Sequence, residues 1–136
     1  MKLFGALDAV EIPDTPEDGT HALTLTNWKL FESQAGNHFL VFEFKLTEHP
    51  LFKMFQVDKW LQFYPDLTQE MITDPKISGN VKRMKEFLRS LGITDEEMDS
   101  VDLNDYTGLE GYGYGYGRDK YKAEGREWVL HSFKRS

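Results

Sequence analysis

The residues best placed to do chemistry lie in GYGYGYGRDKYK, residues 111–122, where glycine alternates with tyrosine and the run then turns basic. In a β-strand successive side chains point to opposite faces. Tyr112, Tyr114 and Tyr116 therefore form one aromatic row, while Gly111, Gly113, Gly115 and Gly117 leave the other face bare. A bare face costs roughly 0.5–1 kcal/mol per glycine relative to alanine. Something must approach that backbone closely, or the sheet must bend there. The tyrosine row fits two uses: cross-strand packing, or a platform on which flat rings stack. Arg118, Lys120, Tyr121 and Lys122 follow on a loop, where there is little to pack against.

Other chemistry finds little support. His21, His38, His49 and His131 are scattered, without an HExxH pattern or a close carboxylate partner in sequence. DLNDYTG, from Asp102, lacks the third acidic ligand, the glycine at position six and the distal glutamate of a calcium loop. The glycines read GxGxG with no helix after them, so no nucleotide cradle is implied. No cysteine occurs, which excludes a thiolate nucleophile and a disulfide framework and fits a reducing compartment. The expectation is a protein without catalysis, metal or cofactor.

The chain of 136 residues has the size of one domain, and 40% hydrophobic with 14% aromatic content excludes wholesale disorder. The amino-terminal stretch carries too many acids for a signal peptide, and no later run could span a membrane, so a soluble, cytoplasmic protein is expected. The net charge of −7 runs against a generic nucleic-acid binder. Its distribution softens that objection. Asp95, Glu96, Glu97, Asp99, Asp102, Asp105 and Glu110 gather in residues 94–110 without a lysine or arginine, whereas residues 118–136 are net basic. Exposed charges are screened within about 8 Å at physiological salt, so one face can be positive on an acidic molecule.

These residues need elements to position them. Residues 1–20 read as an irregular lead-in and 21–136 as the domain. ALTLTNWKLF alternates Leu23 and Leu25, then shifts phase to Trp28 and Leu30, which predicts a bulge near Asn27. ESQAGN is a turn with Gly36 at its tip, and HFLVFEFKL returns with Leu40, Phe42, Phe44 and Leu46 on one face. KMFQVDKWLQFY reads as a single third strand, with Phe55, Val57, Leu61 and Phe63 inward and Gln56, Asp58, Trp60, Gln62 and Tyr64 outward. In SGNVKRMKEFLRSLGI, Val81, Met84, Phe87, Leu88 and Leu91 recur at helical spacing, with Ser78 or Asn80 as N-cap and Gly92 as the stop. LEGYGYGYG and REWVLHSF give the last two strands. Three strands, one helix and two strands is the order of a mainly β, five-stranded OB-like Greek-key barrel with its helix between strands three and four. An open antiparallel sheet carrying one helix is the alternative.

ESQAGNHFLVFEFKL, NVKRMKEFLRSLGI, DLNDYTGLEGYGYG and REWVLHSF, in that order, resemble a family of small phage-encoded OB-fold single-stranded DNA-binding proteins associated with replication and recombination. The likeness covers roughly residues 20–133 and lies in the order of elements, Gly36, Leu91-Gly92-Ile93 and Leu109-Glu110-Gly111; the Tyr-Gly row departs from it. It implies a protein of the host-cell cytoplasm that coats or protects single-stranded DNA and has replication or recombination proteins as further partners. An OB-fold presents its binding surface on strands two and three and the flanking loops, where aromatic faces stack bases and cations follow the backbone. The candidate contacts are then Lys45, Lys59, Trp60, Tyr112, Tyr114, Tyr116, Arg118, Lys120, Tyr121 and Lys122. The competing class is a protein-interaction module, or a DNA mimic, working through the acidic segment 94–110.

Overall fold

The computed structural model describes residues 16–49, 53–56, 58, 60–120 and 122–136. Candidate contacts Lys59 and Tyr121 lie outside the described residues, as does nearly all of the expected lead-in.

The first hairpin forms as its pattern predicts. β1 (Gly19–Glu32) pairs antiparallel with β2 (His38–Leu46), and the register shifts between Leu25 and Asn27. Leu25 stays in register with Phe44 on β2, and on its other side its backbone pairs with the segment that leads into the next long strand. Leu25 N–H donates to the Leu109 carbonyl and Gly108 N–H to the Leu25 carbonyl, each at 2.8 Å. At the tip, Gly36 N–H donates to Ser33 O at 2.9 Å. Gly36 holds φ +81°, a conformation that favours glycine.

The predicted third strand is two strands. β3 (Lys53–Phe55) pairs with the Glu43–Lys45 end of β2, and β4 (Leu61–Phe63) with the His38–Leu40 end. Between them the inward phase changes from even to odd positions: Met54 and Gln56 are buried, and so is Leu61. Phe55 and Gln56 therefore point opposite to the expectation. A continuous alternation cannot describe a segment whose second half returns to β2 three residues out of register, because an odd offset exchanges the two faces.

β5 (Glu110–Asp119) pairs antiparallel with β1 and with β6 (Arg126–Arg135). β6 in turn meets β3 in a parallel contact at Val129 and Phe55. The order β1–β2–β3–β6–β5 returns to β1, so five strands close a ring, and β4 extends the sheet along β2. Among the described residues the architecture is a six-stranded mixed sheet with one α-helix.

That helix, α1 (Pro75–Ser90), follows the fourth strand in the chain and not the third, because the third is divided. It also begins earlier than the apolar spacing suggests. Asp74 is the N-cap, its carboxylate accepting from Lys76 N–H at 2.9 Å, and Pro75 occupies the first helical position. Asn80 serves a different purpose, donating to Gln62 Oε1 at 3.1 Å and Tyr64 Oη at 2.8 Å, which ties α1 to β4. At the far end Ile93 N–H donates to Leu88 O and Gly92 N–H to Arg89 O, with Gly92 at φ +90°, a Schellman stop.

The core fills the ring. Leu23, Leu25, Phe42, Phe44, Leu46, Met54 and Leu130 are essentially inaccessible, and each such side chain contributes about 1.5–3 kcal/mol of burial. Phe44 meets Phe133 at 4.9 Å, and Phe42 stacks on Phe87 of α1 at 5.0 Å. Residues 94–110 cover part of this core, with Met98, Val101, Leu103, Tyr106 and Leu109 packed against it and all seven carboxylates exposed. Three of those acids also hold local structure. Asp95 takes a two-pronged bond from Arg89, Glu97 bonds Thr94 and Tyr106, and Asp102 caps the turn at Asn104. Among the described residues no helix is long and apolar enough to cross a membrane.

Candidate nucleic-acid interface

The bare glycine face of β5 points inward. Gly111, Gly113 and Gly115 are buried, and a Cβ on Gly113 would stand 2.5 Å from Leu130 Cδ1, 2.6 Å from Leu23 Cδ1 and 2.6 Å from Ser132 O. At Gly115 it would meet Met54 at 2.7 Å, and at Gly111 the Lys134 carbonyl and the Phe133 ring. The close approach is therefore made by core side chains and by β6 backbone. The tyrosine row consequently faces outward, with Tyr112 56% and Tyr114 43% exposed. Core packing is not the use of these two rings.

Tyr116 continues the row, half-buried. Its hydroxyl donates to Asp58 Oδ2 at 3.4 Å, and burial together with the Asp58 carboxylate raises its pKa above the usual phenol value. The same oxygen meets His131 Nδ1 at 2.7 Å. His131 stands outward where β6 gains one residue over β5: Tyr114 pairs with Ser132 and Gly115 with Leu130. Asp58, from the segment between β3 and β4, is the carboxylate partner that the sequence spacing of the histidines concealed.

Beyond Tyr116 the row runs through Arg118 and Lys120 into an open groove of about 460 Å³. The groove is walled by Lys29 and Phe31 from β1, Phe55 from β3, Trp60 before β4, and the β5–β6 loop; Val41 forms its floor. The hairpin register places Phe31 opposite Phe39, so both rings leave the same face. Trp60 then completes a cluster, 6.1 Å from Phe31 and 5.5 Å from Phe39. Phe31 is 47% and Trp60 45% exposed, an unusual exposure for grouped aromatic rings. Lys29 Nζ stands 5.7 Å from the centre of the Phe55 ring, within cation–π range. Arg118 pairs with Glu127 at 2.9 Å, which orients the guanidinium and offsets part of its charge.

The predicted contacts divide accordingly. Trp60, Arg118 and Lys120 come together in the groove, and Tyr112, Tyr114 and Tyr116 lead up to it on the same strand face as Arg118. Lys45 is exposed at the opposite end of β2, paired in register with Lys53 and Thr24, and does not line the groove. Lys122 is exposed in the β5–β6 loop at φ +54° and is likewise absent from the lining. Lys29, Phe31, Phe39 and Phe55 were not anticipated. The hairpin turn could have revealed Phe31 and Phe39 as cross-strand partners, whereas Phe55 was concealed by the phase change.

The groove offers flat apolar rings for stacking beside cations for an anionic backbone, a combination suited to unpaired bases. Among the described residues no group of three or more His, Asp or Glu side chains could hold a metal ion. No protein-family model matches the chain, and no curated protein matches it either.

Proposed function

We propose that this protein binds single-stranded DNA, without catalysis, in the groove between the β1–β2 hairpin and the β5–β6 loop. The observation that carries this reading is the Phe31–Phe39–Trp60 cluster, with Phe31 and Trp60 exposed, beside Lys29, Arg118 and Lys120. Stacking on an aromatic side chain contributes about 1–3 kcal/mol per base and requires the base to be unpaired. The ring order β1–β2–β3–β6–β5, closed by a parallel contact, supports treating the domain as an OB-like barrel. A groove on strands two and three between two loops is then the surface such a barrel uses. The resemblance to phage replication and recombination proteins points the same way and suggests coating or protection of single strands as the role.

Fluorescence anisotropy with a labelled oligonucleotide, single-stranded and as a duplex of equal length, tests this. Single strands should bind at least about tenfold more tightly, with affinity falling as salt rises. Equal affinity for both forms overturns it. The acidic segment supplies a second reading, a surface for a basic protein partner, because all seven carboxylates are exposed on the outer side of a packed cap. Capture of a purified basic partner by a protein that binds no oligonucleotide would favour that reading.

A further inference from the structure

A second cleft, of about 500 Å³, opens between α1 and β6. Its charged and polar lining includes Lys82, Arg83 and Glu86 of α1 and Asp58, His131 and Ser132. Lys82 and Arg83 are exposed, and among the described residues neither forms an ion pair. Lys53, Arg89, Arg118 and Arg126, by contrast, each meet a carboxylate, at 3.2, 2.8, 2.9 and 3.7 Å respectively. Asp58 does not present an open charge to the cleft: its side chain is 5% exposed and its carboxylate is engaged by His131 and Tyr116. Glu86 is the carboxylate left to oppose an anion there.

The cleft is joined to the aromatic groove by the outward row of β5. Arg118 lines the groove, Tyr116 bonds Asp58, and Tyr114 meets the edge of His131 at 6.3 Å. Asp58 and His131 both line the cleft. Alternate side chains on a strand stand about 6.6 Å apart, so the row forms a track with aromatic rings on the path and cations at both ends.

Resting on the reading of the groove as a single-strand site, we propose that the α1–β6 cleft is a second phosphate site. In it Lys82 and Arg83 hold the backbone of the same strand after it has crossed Tyr116 and Tyr114. The ligand is a phosphodiester chain long enough to reach both sites, because the track between them has no use for an isolated phosphate.

The test compares oligothymidylates of about five and about sixteen nucleotides, lengths spanning the usual site sizes of OB-like domains, on the parent, the Lys82→Glu/Arg83→Glu double variant and Glu86→Gln. The double variant should bind the short strand as the parent does and lose the extra affinity for the long one. Its salt slope on the long strand should be shallower by about 1.4, since each single-strand phosphate contact contributes about 0.7. Glu86→Gln should tighten binding of the long strand alone. Identical length dependence in all three proteins overturns the second site. So does loss of the long-strand gain in the presence of inorganic phosphate at matched ionic strength, which would assign the cleft to a free anion. Failure of the groove itself is read separately, as a Trp60→Ala variant that binds the short strand normally.

Discussion

Phe39 and Trp60 meet edge to face with ring centroids 5.5 Å apart, one from the start of β2 and the other from the residue before β4. Their contact depends on the division of the predicted third strand, because β4 returns to β2 at its first residues, where Phe39 pairs with Gln62. The break in the strand thus creates the aromatic wall of the groove.

Trp60→Ala should weaken single-strand binding by about 1–3 kcal/mol, the worth of one stacked base. Because Trp60 is 45% exposed, melting should change little. Trp60→Phe should retain most of the affinity, since the π-face makes the contact. Anisotropy and thermal melting on the same samples check this, and a folded Trp60→Ala protein with parental affinity would remove the groove from the path of the strand.

The two faces of β5 should respond oppositely. Gly113→Val drives new atoms into Leu130, Leu23 and the Ser132 carbonyl, all within 2.6 Å of the first added carbon. Overpacking of this kind costs about 1–3 kcal/mol and more where backbone must yield. Tyr114→Ala, on the exposed face, should leave the melting temperature nearly unchanged and reduce oligonucleotide affinity. A large loss of stability in Tyr114→Ala with unaltered affinity would show that the row serves the fold.

Leu88 is the residue of α1 most deeply committed to the core, at 8% exposure. Leu88→Ala should cost about 2–5 kcal/mol, and Leu88→Asp more, because an unpaired carboxylate would be buried. Exposed Arg83→Ala should stay within about 0.5 kcal/mol of the parent. Chemical denaturation of the three variants gives the comparison. Equal stability of Leu88→Asp and Arg83→Ala would contradict the packing of the helix.

Alkaline titration should single out Tyr116. Burial first, and the Asp58 carboxylate second, disfavour its phenolate, so the folded protein holds this proton more tightly than the unfolded chain. The resulting stabilisation is complete below the unfolded tyrosine pKa of about 10 and is lost as pH rises through the higher folded value. Asp58→Asn should move the phenol back toward the ordinary range without abolishing the effect of burial. Near-ultraviolet phenolate absorbance during titration, read against a Tyr116→Phe control, follows the change; an unmoved Tyr116 transition in Asp58→Asn would mean that the carboxylate does not act on it.

Much of this arrangement is local and therefore legible in the sequence. The shift of phase from Leu25 to Trp28 announces the bulge, ESQAGN announces the turn, and Leu91-Gly92-Ile93 announces the end of α1, because each depends on the conformational preferences of a few adjacent residues. The start of α1 was legible too, in Asp74-Pro75, but the apolar spacing further on obscured it. The alternation in β5 likewise established that glycines and tyrosines occupy separate faces. Which face is the interior, it could not say. A two-residue period is symmetric, and a slip of one position exchanges inside for outside, as Phe55 and Gln56 demonstrate. Only closure of the ring broke that symmetry, by bringing Leu23, Met54, Leu130 and Phe133 against the glycines and leaving the tyrosines to solvent. The groove was beyond reach for the same reason: Phe31, Phe39, Phe55 and Trp60 come from separate strands, and only the pairing of those strands places four rings on one surface.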